Sequence, residues 1–125
     1  MDNFNNKKAH IFWATALFVY SGLIFFLSSQ PVEIPGPSFF LKDKLIHATA
    51  YGLMAFLAWR FFLLVPFISH PTLWAWIYTF LYGGSDEWHQ SFVPGRHADI
   101  WDWLADGAGA AIILIILHYK ATRKR

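Results

Sequence analysis

Apolar residues fall into four long runs separated by short polar or proline-bearing connections. The first extends from Ala9 to Leu27 and stops at Ser28-Ser29-Gln30-Pro31, and the second extends from Leu45 to Val65 and stops at Pro66. The third covers about Thr72 to Phe92, and the fourth starts near Asp99 and reaches about His118. Each run is roughly 20 residues, and a helix rising about 1.5 Å per residue needs that length to cross a hydrocarbon core about 30 Å thick. The pattern predicts an all-α membrane protein, a four-transmembrane-helix bundle with spans at about 9–28, 45–65, 72–91 and 99–118, forming a single domain over residues 1–125.

The polar positions inside this pattern are not scattered. Asp43 suits a helix N-cap, and Asp43, His47 and Tyr51 recur at i, i+4 and i+8 with Lys44 beside them. Asp86, His89 and Gln90 share one face of the third run, while Glu87 points about 100° away. Asp99, Asp102 and Asp106 at i, i+3 and i+7 form a stripe on the fourth, with Asp102 at the centre of the cluster. A charge inside a span costs on the order of 2.5 to 3.5 kcal/mol, so such a cluster faces protein or trapped water and is a functional-site hypothesis. All three stripes meet at one depth beside Ser28 to Gln30, which predicts one polar pocket, and two helix N-termini aimed at that face favour an anion there.

Glycine and proline supply the connections. Gly83-Gly84 is expected to weaken the third helix, Pro35-Gly36-Pro37 to keep the first connection extended, and Pro94-Gly95 to form a turn with Gly95 at positive φ. Gly107, Gly109, Ala110 and Ala111 allow a neighbouring helix to approach closely. Phe39, Phe40 and Leu41 are expected at the membrane interface, and Arg60 to snorkel towards it.

Composition agrees with the pattern. Of 125 residues, 56% are hydrophobic and 14% charged, against about 25% charged in soluble domains. No cysteine is present, which excludes thiolate metal sites and thiol nucleophiles. The net charge of +2, carried mainly at the two ends, argues against nucleic acid. Lys7, Lys8 and the basic tail Lys120 to Arg125 would lie on one side with the Arg60 and His70 hairpin. That side is predicted to be cytoplasmic, leaving Val32, His97 and the pocket outside. The apolar first run is read as an uncleaved span, since no small-x-small cleavage site follows it. Trp59, Trp74 and Trp76 at one end and Trp88, Trp101 and Trp103 at the other suggest two interfacial belts.

The pattern Ser28-Ser29-Gln30, Asp43-Lys44-x-x-His47-x-x-x-Tyr51-Gly52, and Asp86-Glu87-x-His89-Gln90-x-Phe92-x-Pro94-Gly95-Arg96-x-x-Asp99-x-x-Asp102-x-x-x-Asp106-x-x-Gly109 resembles that of VanZ-like membrane proteins. The resemblance covers residues 28 to 109, and its third block is long and tightly spaced. It implies a small multi-pass protein of the bacterial plasma membrane, in a family named for a protein giving low-level resistance to the glycopeptide teicoplanin. It implies no reaction.

Three readings of the cluster stand side by side. In a structural one, Asp99, Asp102 and Asp106 pair with Lys44, Arg96 and His47 and lock the helices together. In a second, a divalent metal is held by a set drawn from His47, Asp86, His89, Asp99 and Asp102. Metal-assisted hydrolysis or transfer on a phosphate-linked polyprenyl substrate would then follow, with Glu87, His89 and Asp102 the catalytic candidates and Lys44 and Arg96 clamping the phosphate. In the third, the pocket binds an envelope lipid or glycopeptide head group through Lys44, His47, Tyr51, Asp86, Glu87, Gln90, Arg96, Asp99, Asp102 and Asp106, with Trp88, Trp101 or Trp103 as apolar contacts. The partners are then the bilayer and a lipid-linked precursor or glycopeptide. His10, His70 and His118 lie away from the site.

Overall fold

The computed structural model describes residues 2–31 and 41–124, and these form four helices with no strand: α1 (Asp2–Ser28), α2 (Lys42–Phe62), α3 (Pro71–Gln90) and α4 (Ile100–Arg123). The Pro35-Gly36-Pro37 connection, Val32, Phe39 and Phe40 lie outside the described residues. Leu41 is exposed, as an interfacial residue would be.

Local sequence explains most of the helix ends. Asp99 caps α4, its carboxylate accepting the Trp101 N–H at 2.9 Å. Pro71 opens α3, where its missing N–H costs nothing. Gly95 has φ +81° after Pro94, as that turn requires. Two expectations are corrected. Asp43 does not cap α2: the helix begins two residues earlier than that cap would place it, after Leu41 and without a side-chain cap, so Asp43 lies in the first turn, where its charge still suits the helix dipole. α4 continues to Arg123 rather than stopping near His118, because no breaker follows and Lys120 and Arg123 suit its last turn.

α2 and α4 run parallel at the centre, and α3 packs antiparallel against both. α1 lies on α2, with Tyr20 donating to the Ala50 carbonyl at 2.6 Å, and more thinly on α3, through Ser21 with Tyr78 at 2.7 Å and Tyr82 donating to the Ser21 carbonyl. Gly109 explains how close α2 and α4 come. A Cβ there would lie 2.2 Å from the Ala48 carbonyl oxygen. Gly83 and Gly84, expected to weaken α3, instead receive α4. Asp106 fills the space a Cβ would take at Gly83, and the Trp103 indole that at Gly84.

Much of the interior is small, with Ala55, Ala58, Ala75 and Ala110 fully buried beside Tyr51, Met54 and Leu114, while Phe18, Val19, Phe26, Leu53, Leu81, Ile112 and Ile115 face outward. A soluble domain does the reverse with its large apolar side chains. α1, α2 and α4 are long and apolar enough to cross a membrane; α3, with Thr72, Thr79 and its polar last turns, is not. The tryptophan belts are corrected in part. Trp74, Trp88 and Trp101 are exposed, but Trp76 donates to the Gly107 carbonyl at 3.1 Å and Trp103 to the Phe80 carbonyl at 2.8 Å, so both hold α3 to α4. Arg60 stacks over Trp13, its guanidinium carbon 4.6 Å from the ring centre.

Candidate functional site

The first turns of α2 and α4 start side by side, so Lys44 reaches two carboxylates of α4, Asp99 at 2.8 Å and Asp102 at 2.6 Å. The ammonium and the Trp101 N–H hold Asp99 below the usual carboxylate range. One turn further on, His47 Nδ1 meets Asp106 at 2.8 Å and Nε2 lies 3.6 Å from Asp102. Asp106 is fully buried. Glu87 closes this group from α3, with one oxygen accepting the Asp99 N–H at 2.8 Å, which ties the end of α3 to the start of α4. Two of the three ion-pair partners expected for the aspartate stripe, Lys44 and His47, are thus in contact with it.

Asp86 and Gln90 face another way. The Asp86 carboxylate accepts the Tyr51 hydroxyl at 2.9 Å and the Gln90 amide at 3.3 Å through the same oxygen. Its other oxygen has no partner among the described residues, although the residue is only 5% exposed. This group lines a cavity of about 470 Å³ at the polar end of the bundle. Ile24, Leu27, Ile46 and Ala50 form its apolar wall; His47, Tyr51, Asp86, Gln90, Arg96, Asp99 and Asp102 bring polar atoms, with Asp43 and His97 also on its lining. His97 was missed as a lining residue, and its place in the Pro94–Asp99 connection was the available signal.

Several candidates are not brought together as expected. Among the described residues Arg96 pairs with no aspartate; it donates to the Ser28 carbonyl at 3.2 Å and the Leu27 carbonyl at 3.1 Å, closing the C-terminus of α1, where a cation suits the helix dipole. His89 turns to α1, stacked on Phe25 with ring centres 4.2 Å apart and 3.4 Å from the Ser29 hydroxyl, because α1 packs on its side of the face that it shares with Asp86. The expected metal set His47, Asp86, His89, Asp99 and Asp102 is therefore not one constellation. A different group, His47, Glu87 and Asp106, offers one ligand atom each within 4.8 Å of one another and could hold an ion. Trp103 is held between Phe80 and Gly84, Trp88 and Trp101 are exposed, and none of the three lines the polar cavity.

His70 and His118 line a second, apolar cavity of about 950 Å³ at the opposite end, with Trp59, Leu63, Trp76, Leu114 and Tyr119, and His10 packs on Phe61 at that end. They lie away from the polar cluster, as expected.

Outward apolar side chains, three span-length apolar helices and a cluster of carboxylates within one end of the bundle define a small helical membrane protein. Residues 10–121 match the family described as VanZ/LLP1, and the chain belongs to that family. No curated protein and no solved structure matches it.

Proposed function

We propose that this VanZ-family protein recognises the head group of an envelope lipid or glycopeptide in the pocket lined by Tyr51, Asp86, Gln90 and Arg96. α3 acts as the remaining span, both termini are cytoplasmic, and the pocket opens at the outer face of a bacterial plasma membrane. The observation that carries this reading is Asp86, which lines a cavity with an apolar wall and keeps one carboxylate oxygen without a partner among the described residues. A buried acceptor of this kind is satisfied by a donor from outside the chain. Ile24, Leu27 and Ile46 suit the start of an acyl or prenyl chain, and Tyr51 and Gln90 orient the group that enters. With Lys44 and Arg96 engaged by protein oxygens, the lining favours sugar hydroxyls and amino groups over a bare phosphate. Binding of this type would alter teicoplanin-type susceptibility by sequestering the antibiotic or its lipid-linked target.

The test is Asp86→Asn, which keeps the shape and the acceptor for Tyr51 but replaces the charge. Expected is native-like thermal stability in detergent, at least about tenfold weaker binding of a lipid-linked disaccharide-peptide precursor or of teicoplanin, and no complementation of a deletion strain in a susceptibility assay. Unchanged binding of both ligands by Asp86→Asn overturns the reading.

A second reading, metal-assisted hydrolysis or transfer on a phosphate-linked polyprenyl substrate, is favoured by the proximity of His47, Glu87 and Asp106. In hydrolysis a water would attack phosphorus as the bond to the leaving oxygen breaks, its proton passing to Asp102 and a proton going to the departing oxygen; in transfer an acceptor hydroxyl would take the place of the water. Release of phosphate from such a lipid by the purified protein is the measurement that favours it over recognition alone.

A further inference from the structure

We propose that His47, Glu87 and Asp106 bind one divalent metal ion behind the wall of the polar cavity. The three residues come from α2, α3 and α4, and a ring nitrogen and one oxygen from each carboxylate lie within 4.8 Å of one another. Glu87 is 6% exposed and Asp106 0%. Each keeps a carboxylate oxygen, Glu87 Oε1 and Asp106 Oδ2, with no hydrogen-bond partner among the described residues. Their other oxygens are used, one by the Asp99 N–H and one by His47. Two buried carboxylates in this state need a positive charge or a proton. Lys44, bonded to Asp99 and Asp102, and Arg96, bonded to the carbonyls of Leu27 and Ser28, both face elsewhere.

The donor set decides the class of ion. One imidazole with two carboxylates suits zinc or manganese better than calcium or magnesium, which take oxygen alone. With Nδ1 of His47 as ligand, its 2.8 Å hydrogen bond with Asp106 gives way to shared coordination, and its Nε2 faces Asp102 at 3.6 Å, just beyond hydrogen-bond distance, on the side from which a carboxylate orients a metal-bound imidazole once the two close up. Gly83 contributes by having no side chain: a Cβ there would come within 2.8 Å of the free Asp106 oxygen. His47 and Asp102 also line the cavity, so an ion held here sits next to whatever enters it. The site stands on this geometry and on neither reading of function.

The experiment is a calorimetric titration of the full chain, purified in detergent and stripped with a chelator, against zinc and against manganese in excess magnesium. Expected is one ion per chain and a rise in unfolding temperature with the ion present. Glu87→Gln and Asp106→Asn should weaken binding about tenfold or more, and His118→Ala, on the apolar cavity at the opposite end, should leave it unchanged. No binding by the wild-type chain overturns the site, as does binding that survives in Glu87→Gln; neither result depends on how Asp106→Asn folds. Head-group binding measured in chelator tests the pocket reading separately, so the two can fail independently.

Discussion

At one end of the central α2/α4 pair, Trp59, Leu63, Trp76, Leu114 and Tyr119 bound a cavity of about 950 Å³, while at the other His47, Tyr51, Asp86 and Asp102 help to bound one of about 470 Å³. By size the first would be the site. By chemistry it is not, because an apolar groove on a membrane protein meets lipid chains at little cost, whereas buried carboxylates with unpartnered oxygens persist only where something repays them. The carboxylates concentrate where α2 and α4 begin and α3 ends, and small residues fill the crossing between the two ends. What separates a candidate site from a packing gap here is unsatisfied polarity rather than volume.

The two ends share the crossing, so breaking it should damage both. Gly109→Ala puts a methyl group 2.2 Å from the Ala48 carbonyl oxygen and 2.6 Å from its Cα, atoms that move only if α2 and α4 separate. The cost should exceed ordinary overpacking, at about 3 kcal/mol or more. Gly22→Ala, with nothing within 4 Å of its Cβ, should instead be neutral or stabilising by up to about 1 kcal/mol. Thermal unfolding of both variants in detergent checks the pair, and equal stability of the two would mean that the crossing does not hold the bundle together.

Much of this fold can be read from periodicity, and the limits of that reading follow from what periodicity contains. It gives the face of a helix, so the stripe Asp99, Asp102, Asp106 and its partners Lys44 and His47 were accessible, as were the cap at Asp99 and the positive φ of Gly95. It does not say which neighbour a face meets. His89 shares a helical face with Asp86 by spacing, yet α1 approaches one side of that face and α2 the other, and the two side chains part. Arg96 comes from a connection, where no period constrains its direction, and it finds carbonyls at the C-terminal end of α1. Gly83 and Gly84 look like helix breakers until α4 is seen resting on them. The grouping of Glu87 with His47 and Asp106 needs three helices in register, which no single stripe encodes.

Asp102→Asn sharpens the contrast between pairing and binding at the polar end. From the sequence alone, losing Asp102 would strand a buried cation and cost about 3 to 5 kcal/mol. In the fold Lys44 keeps Asp99 at 2.8 Å and its side chain is 23% exposed, so the loss should be about 1 kcal/mol or less. The cavity nevertheless loses a charged acceptor on its wall. The expected outcome is near-native unfolding together with lost complementation in the susceptibility assay. A destabilised variant that complements fully would make the cluster an ion-pair lock.

The smallest effect should come from the most solvated member of the cluster. Asp99 is held below its ordinary value by Lys44 and the Trp101 N–H, so its contribution is fully present above the unfolded value, about 4, and is lost as the pH falls through the lower folded value. Its side chain is 37% exposed, which limits the contribution to the size of a screened surface pair, about 0.2 to 1 kcal/mol. Other carboxylates titrate in the same acid range, so the quantity to measure is the stability gap between wild type and Asp99→Asn, since asparagine keeps the cap of α4. That gap should favour wild type at neutral pH, close as the pH falls below about 4, and shrink with added salt at neutral pH. If it is the same at neutral and acid pH, the Lys44–Asp99 pair contributes nothing to stability, and Lys44 answers to Asp102 alone.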